Sequence, residues 1–122
     1  MPSLPPSRIA QAAIPVADLD RAKRFYGGVL ALPHLFDAPP GLAFYQCGDT
    51  RLMLSSGEGG AGGEGIILYY GCTDVAEAFR QAREAGAAEV APPRVIAEVE
   101  GKPIHLAIIA DGEGNNVGLI SG

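Results

Sequence analysis

The sequence lacks tryptophan and has only two cysteines, Cys47 and Cys72, in 122 residues. Two cysteines do not form the disulfide framework of a small secreted protein. A chain of this length buries roughly two-thirds of its unfolded surface, so it needs neither a disulfide nor a metal ion for a stable core. Both thiols are therefore predicted to be free, as small apolar residues of a protein in a reducing compartment.

The sequence also lacks an excess of basic residues, with nine Lys+Arg against fourteen Asp+Glu and a net charge of −5. No segment concentrates the positive charges, which argues against nucleic acid and anionic membranes as partners. Uncharged runs are broken by Gly, Pro or polar residues, and the first six residues lack the pattern of a signal peptide. We expect a soluble, cytoplasmic protein.

The 17 glycines and 10 prolines of the chain separate short apolar elements, which we describe first for the first half. Residues 8–16 predict a strand, and Asp18 is a suitable N-cap for a helix that runs to Leu30. Pro33 ends the helix and leaves His34 in a loop. Residues 42–47 and 51–55 predict two strands joined by a Gly-Asp turn. The predicted buried face of the helix consists of Leu19, Ala22, Tyr26 and Val29.

The second half repeats this order. Residues 66–72 predict a strand, and Asp74 with Glu77 has the spacing of a capping box for a helix over residues 74–85. Gly86 is placed to end that helix in a left-handed conformation. Residues 95–99, 104–110 and 116–120 predict three further strands. The predicted buried stripe of the helix consists of Val75, Ala78, Phe79, Ala82 and Ala85.

A shift of 56 residues superimposes Asp18 on Asp74 and the strand before each helix on its counterpart. The sequence therefore predicts an α+β fold of two β-α-β-β-β modules, residues 8–55 and 66–121, in a single domain over residues 1–122. The modules are expected to form a cupped mixed sheet with both helices outside. Residues 56–65 read as a Gly-rich linker. Its G-x-G-x-x-G pattern is followed by a strand rather than a helix, which argues against a dinucleotide site.

Three segments resemble the vicinal oxygen chelate superfamily, which includes glyoxalase I, extradiol dioxygenases and bleomycin-resistance proteins. They are residues 14–33 (IPVADLDRAKRFYGGVLALP), the cap at residues 73–75 and the turn and strand at residues 111–119 (DGEGNNVGL). The resemblance implies paired modules, usually in a homodimer, with a small-molecule site inside the cup. Enzymes of the superfamily hold one divalent metal there, through side chains on the first and last strand of each module.

Position by position, the resemblance places those four metal ligands at Gln11, about Arg51, Ile67 and Gly118. Ile67 and Gly118 offer no side-chain donor, Arg51 is a fixed cation, and a single amide oxygen of Gln11 is a weak ligand. We therefore expect no bound metal and no other cofactor. The Arg51 guanidinium near the vacant position is instead expected to pair with an oxyanion or carboxylate of the ligand, so that Arg51→Ala weakens binding without unfolding the protein.

Alternation along the strands selects further residues for the cup. Met53 shares a side with Arg51, Tyr69 with Ile67, and Asn116 with Gly118. Together with the four ligand positions, they predict a mainly apolar cavity for a small organic molecule, unless some of them fill a closed core.

His105 lies in the strand over residues 104–110, on the side of Ala107 and Ile109. If that side lines the cup, His105 is a candidate catalytic base. If it faces the helix, His105 is a core or edge residue, and the sequence leaves both positions open.

Two classes of function follow. In the first, the protein binds a small organic molecule without a metal, for example to sequester an antibiotic or a metabolite. In the second, it is a metal-dependent glyoxalase-type lyase or extradiol-type dioxygenase with displaced ligands, in which His105 and Glu98 or Glu100 are recruited.

Overall fold

The computed structural model describes residues 4–57 and 65–121, so most of the predicted Gly-rich linker lies outside the described residues. The chain forms two compact units. The first unit comprises residues 11–67, and the second comprises residues 68–121 together with residues 4–10. Each unit follows the order β-α-β-β-β, which confirms the predicted α+β fold of two repeated modules.

The described residues of the first unit form four strands and one helical segment. Its strands lie in the order β2-β3-β4-β1, with β1 parallel to β4 and the other pairs antiparallel. The elements are β1 (Ile9–Pro15), α1 (Leu19–Lys23), a π-helical turn (Arg24–Val29), β2 (His34–Ala38), β3 (Leu42–Cys47) and β4 (Thr50–Ser55).

The second unit repeats this arrangement. Its strands lie in the order β5-β8-β7-β6, with β5 parallel to β8 and the other pairs antiparallel. The elements are β5 (Ile67–Gly71), α2 (Val75–Glu84), β6 (Ala88–Val99), β7 (Lys102–Ala110) and β8 (Asn116–Ser121).

Both predicted helix caps are confirmed. The Asp18 carboxylate accepts the backbone N–H of Arg21 at 3.0 Å, and the Asp74 carboxylate accepts that of Glu77 at 3.1 Å. Each bond satisfies an amide that the first helical turn leaves without a partner. Gly86 has φ of +108°, as expected for the residue that ends α2.

The end of the first helix differs from the prediction, because residues 24–29 form a π-helical turn with the backbone bond from Leu30 N–H to Phe25 O. The wider turn moves the following residues off the spacing of an α-helix. Tyr26 still packs on the core, but Val29 is 71% exposed. The prediction that Val29 belongs to the buried face is therefore wrong.

Two stretches of strand went unrecognised in the sequence. β2 begins at His34 itself, so the loop predicted there is wrong. β6 begins at Ala88, seven residues before the predicted start, and contains Pro92 and Pro93. Among the described strands, β6 pairs only with β7, so one of its edges needs no amide donors and accepts proline.

An ion cluster connects α1 to β2. Lys23 Nζ donates to Asp37 Oδ2 at 2.9 Å, and His34 Nε2 lies 2.8 Å from Asp37 Oδ1. The bonds from His34 and Lys23 lower the pKa of the Asp37 carboxyl. All three side chains are substantially exposed, so the cluster fixes geometry more than it adds stability.

In each unit, the helix covers one face of the sheet. In the first unit, Ala43, Tyr45 and Leu54 form a core with side chains of the α1 segment. In the second, residues of α2 pack on the β7 and β8 side chains Ala107, Ile109 and Leu119. Strand alternation therefore leaves Gln11, Arg51 and Met53 on the opposite face of the first unit, and Tyr69, Gly118 and Ile120 on that of the second.

Both cysteines are free, with Cys47 exposed and Cys72 buried. Within residues 4–57 and 65–121, no helix combines the length and hydrophobicity that a membrane crossing requires.

Gly118 is required by the packing of the second unit. Tyr69 lies beside it in the β5–β8 register, and the Tyr69 ring leans across the glycine so closely that a Cβ there would overlap ring carbons Cγ and Cδ2. Tyr69 is completely buried, so the ring has no free space into which it could move.

Gly118→Ala should therefore lower the free energy of unfolding by about 1–3 kcal/mol, the usual cost of overpacking a core. Gly28→Ala is the matched control, because no atom lies within 4 Å of the new Cβ. Urea denaturation of both variants measures the difference. Equal stabilities would contradict the packing described for Tyr69.

Candidate functional site

The face of the first unit opposite α1 contains a buried polar side chain. Gln11 has no exposed surface, and its neighbours Met53 and Phe44 are equally buried. Burying an amide without hydrogen bonds costs folding free energy, so the hydrogen-bond partners of Gln11 are part of the site.

Both ends of the Gln11 amide have partners. Arg51 Nε donates to Gln11 Oε1 at 2.8 Å, and Gln11 Nε2 lies 3.8 Å from the sulfur of Met53. The guanidinium carbon of Arg51 lies 5.8 Å from the centre of the Phe44 ring, within the range of a cation–π contact. The parallel register of β1 and β4 sets this geometry, because it pairs Gln11 directly with Arg51.

Gln11 therefore contacts two other predicted site residues, Arg51 and Met53. Ile67 is also buried in the first unit and lines a small cavity of about 90 Å³ with Ala13 and Ser55. The sequence analysis missed Phe44, which β3 places beside Met53. The alternation of β3 would have indicated it, because Phe44 and Gln46 share the side that faces away from α1.

The predicted site residues of the second unit lie on β5, β7 and β8. Tyr69 packs over Gly118, and Asn116 is half-buried at the start of β8. Burial raises the pKa of the Tyr69 hydroxyl to about 12, and the positive charge of Arg94 opposes part of that rise. Arg94, on β6, is a further residue that the sequence analysis missed, because its strand was predicted to begin at Val95.

The parallel strand pairs also show which positions of the two units are equivalent. Pro15 is paired with Ser55 in the first unit, and Gly71 with Ile120 in the second. Pro15 and Gly71 both stand three residues before a capping aspartate, so the two pairs are equivalent.

Arg51 and Asn116 each stand four residues before Ser55 and Ile120, so they are equivalent. Met53 and Gly118 each stand two residues before the same pair, so they are equivalent as well. The sequence-based pairing of Arg51 with Gly118 is therefore wrong by two residues. The segments between helix and last strand differ in length, so no single shift aligns both ends of the units. Gln11 and Ile67 remain equivalent.

His105 occupies the second of its two possible positions. It shares a face of β7 with Ala107 and Ile109, which belong to the core against α2. It is half-buried between Val95 of β6 and Ser121 of β8 in the strand registers. This position is that of an edge residue of the core, and it gives no support to a role as catalytic base.

The residues at the ligand positions do not fit a divalent metal. The Gln11 oxygen already accepts from a cation, Ile67 is apolar, and neither Asn116 nor Gly118 offers a carboxylate or imidazole. Across the part of the chain that the structure describes, no three His, Cys, Asp or Glu side chains are grouped as metal ligands. Hard and borderline divalent ions require such donors.

The raised pKa of Tyr69 predicts a loss of stability in alkali. An unfolded tyrosine ionises near pH 10, and the folded one near pH 12, so its contribution is complete below pH 10 and is lost between these values. From pH 8 to 11, Tyr69→Phe should lose about 1.4 kcal/mol less than the wild type. Urea denaturation at each pH measures this difference.

Tyr70→Phe is the matched control, because Tyr70 is half-buried on the other face of β5. The same alkaline slope in the wild type and Tyr69→Phe would contradict the burial of a neutral hydroxyl.

Comparison with known families adds one clear match. Residues 8–118 match the model of the Glyoxalase/Bleomycin resistance protein/Dioxygenase superfamily. No curated protein matches the chain.

Several solved structures share the fold. A hypothetical protein from Bacillus halodurans C-125 is 20% identical with a TM-score of 0.73, over 94% of each chain. A Streptomyces coelicolor methylmalonyl-CoA epimerase variant, solved with 2-nitronate-propionyl-CoA, is 20% identical with a TM-score of 0.68, over 96% of this chain and 98% of that one.

A mutant of 4-hydroxymandelate synthase from Streptomyces coelicolor is 21% identical with a TM-score of 0.69. The match covers 97% of this chain but only 39% of the synthase. At these identities, the likeness to all three structures concerns the fold.

Proposed function

Because the chain belongs to the Glyoxalase/Bleomycin resistance protein/Dioxygenase superfamily, we propose that it binds a small organic molecule without a catalytic metal. The observation that carries this proposal is the Gln11–Arg51 hydrogen bond of 2.8 Å. It engages the amide oxygen of Gln11, at one ligand position, with the cation that the β1–β4 register pairs with it. A sequestering protein for an antibiotic or a metabolite is the function that this arrangement supports best.

The guanidinium supplies a positive charge without supplying a metal's chemistry. It forms directed hydrogen bonds to an anion, but it has no empty orbital with which to coordinate a substrate oxygen and generates no hydroxide nucleophile. Arg51 is half-buried, so part of its charge is shielded from water and its attraction for a ligand anion is strengthened. These properties favour binding over turnover.

The enzyme alternative requires metal ligands other than the residues at the four positions that the family resemblance indicates. The candidates for displaced ligands were His105 with Glu98 or Glu100. His105 shares a face with the α2 core, and both glutamates are exposed at the end of β6 and its turn. No specific observation favours the lyase or dioxygenase.

The homodimer and the cytoplasmic location stay predictions. Large apolar side chains at the end of the first helical segment, Phe25, Val29 and Leu30, are about half or more exposed. Such a surface is compatible with the homodimer that the family resemblance implies.

The metal-free proposal is tested by elemental analysis and thermal unfolding. The purified protein should contain no stoichiometric Zn, Ni, Mn or Fe, and adding these ions should leave the melting temperature unchanged. An ion at 100 times its dissociation constant would stabilise the fold by about 2.7 kcal/mol, which is readily detected. Protein treated with EDTA is the control. One bound ion per chain with a matching rise in melting temperature would refute the proposal and restore the enzyme alternative.

A further inference from the structure

The Arg51 guanidinium is held from two directions. Its Nε is bonded to Gln11, and its plane lies near the Phe44 ring. Gln11 and Phe44 have no exposed surface and are fixed by the strands on either side of β4. Rotation of the Gln11 amide would place its NH₂ group against Nε–H, so the amide has one productive orientation.

This support determines which part of the guanidinium meets a ligand. Once Nε is bonded to Gln11, the edge suited to bidentate pairing is the one formed by the two terminal nitrogens. A carboxylate places two oxygens in one plane at the spacing of that edge. A ligand carboxylate would compete with the further interaction that Arg51 makes.

The single positive charge of Arg51 on this face favours a ligand with a single negative charge. Among the residues described in the first unit, Arg51 is the one cation on the face opposite α1, because Arg21, Lys23 and Arg24 belong to the helical segment. One cation compensates one negative charge, and a doubly charged ligand would retain an unpaired charge in a half-buried place.

The surroundings are apolar beyond the guanidinium. Phe36 of β2 stacks on Phe44 with ring centres 4.4 Å apart, and Phe36 is only half-buried. The sulfur of Met53 completes the contacts of Gln11. The anionic group of the ligand would therefore be attached to an apolar body.

We propose that Gln11 is a positioning residue that holds Arg51 for a singly charged organic carboxylate, an inference that rests on the proposed function. The ligand class is a carboxylate on an apolar or aromatic body. Gln11 acts through Arg51 and makes no contact with the carboxylate.

The test uses three probes of similar shape on the full chain, at about pH 9 so that the phosphonate is fully ionised: benzoate, its neutral amide benzamide, and phenylphosphonate as a doubly charged anion. Calorimetric titration should detect benzoate and give at least tenfold weaker binding for benzamide and for phenylphosphonate. Arg51→Ala should weaken benzoate binding by at least about tenfold, because a charge-assisted bidentate pair is lost.

Variants of Gln11 separate positioning from folding. Gln11→Met keeps the size but removes the acceptor, and should weaken benzoate binding by about three- to tenfold. Gln11→Glu keeps an acceptor for Arg51 but neutralises its charge, so it should retain the hydrogen-bonded Arg51 Nε–H signal in NMR spectra and still lose benzoate. Gln81→Met on α2 is the matched control and should bind as the wild type does.

Several results would overturn the inference: no benzoate binding by the wild type, equal binding of benzamide, tighter binding of phenylphosphonate, or full affinity in Gln11→Met. If Gln11→Met does not fold, Gln11→Glu tests whether the ligand carboxylate pairs with the charge of Arg51, and undiminished benzoate binding by it overturns the inference. None of these results bears on metal content, so the proposed function fails only on the elemental analysis and thermal unfolding.

Discussion

A completely buried amide must find hydrogen-bonding partners, and Gln11 meets this constraint inside a parallel strand pair. The register that aligns β1 with β4 brings Arg51 to its oxygen and Met53 to its nitrogen. A slip by one residue would turn every side chain of β1 to the other face and bury the amide against the apolar core of α1. The need to satisfy the buried amide therefore favours this register, and the bond orients the only cation that the described residues of the first unit place on that face.

The two units share one arrangement of strands but have different side chains at equivalent positions. In the first, the polar pair of Gln11 and Arg51 lies opposite the helix. The equivalent positions are Ile67, the first residue of β5, and Asn116 of β8, and two residues further along these strands Tyr69 fills the space above Gly118. A bulky ring and a missing side chain are complementary in volume, as a close-packed core requires. The two units thus share the pairing of strands but differ in the chemistry of the paired positions.

The structural features that the sequence predicted correctly depend on local signals. The aspartate caps, the Gly-Asp turn and Gly86 were predictable because each depends on residues within a few positions of itself. The π-helical turn was not predicted, and its Gly27 lies against the Tyr45 ring, a contact that is not local in the sequence. The proline-containing start of β6 was not predicted because it depends on β6 being an edge strand. Gln11, Arg51 and Met53 could be grouped from alternation. The hydrogen bond from Arg51 to Gln11 could not, because it depends on a register between strands 40 residues apart.

Exchanging a metal for an arginine changes what a site of this fold can do. A divalent ion accepts electron pairs from two substrate oxygens at once and stabilises the charge that develops on them. A guanidinium offers directed N–H donors and one permanent charge, which recognise an anion already present in the ground state. Interactions that are as strong in the ground state as in the transition state give affinity without rate acceleration. On the proposed function, the Gln11–Arg51 pair retains the recognition of oxygen atoms while the capacity for metal-assisted chemistry is absent from these positions.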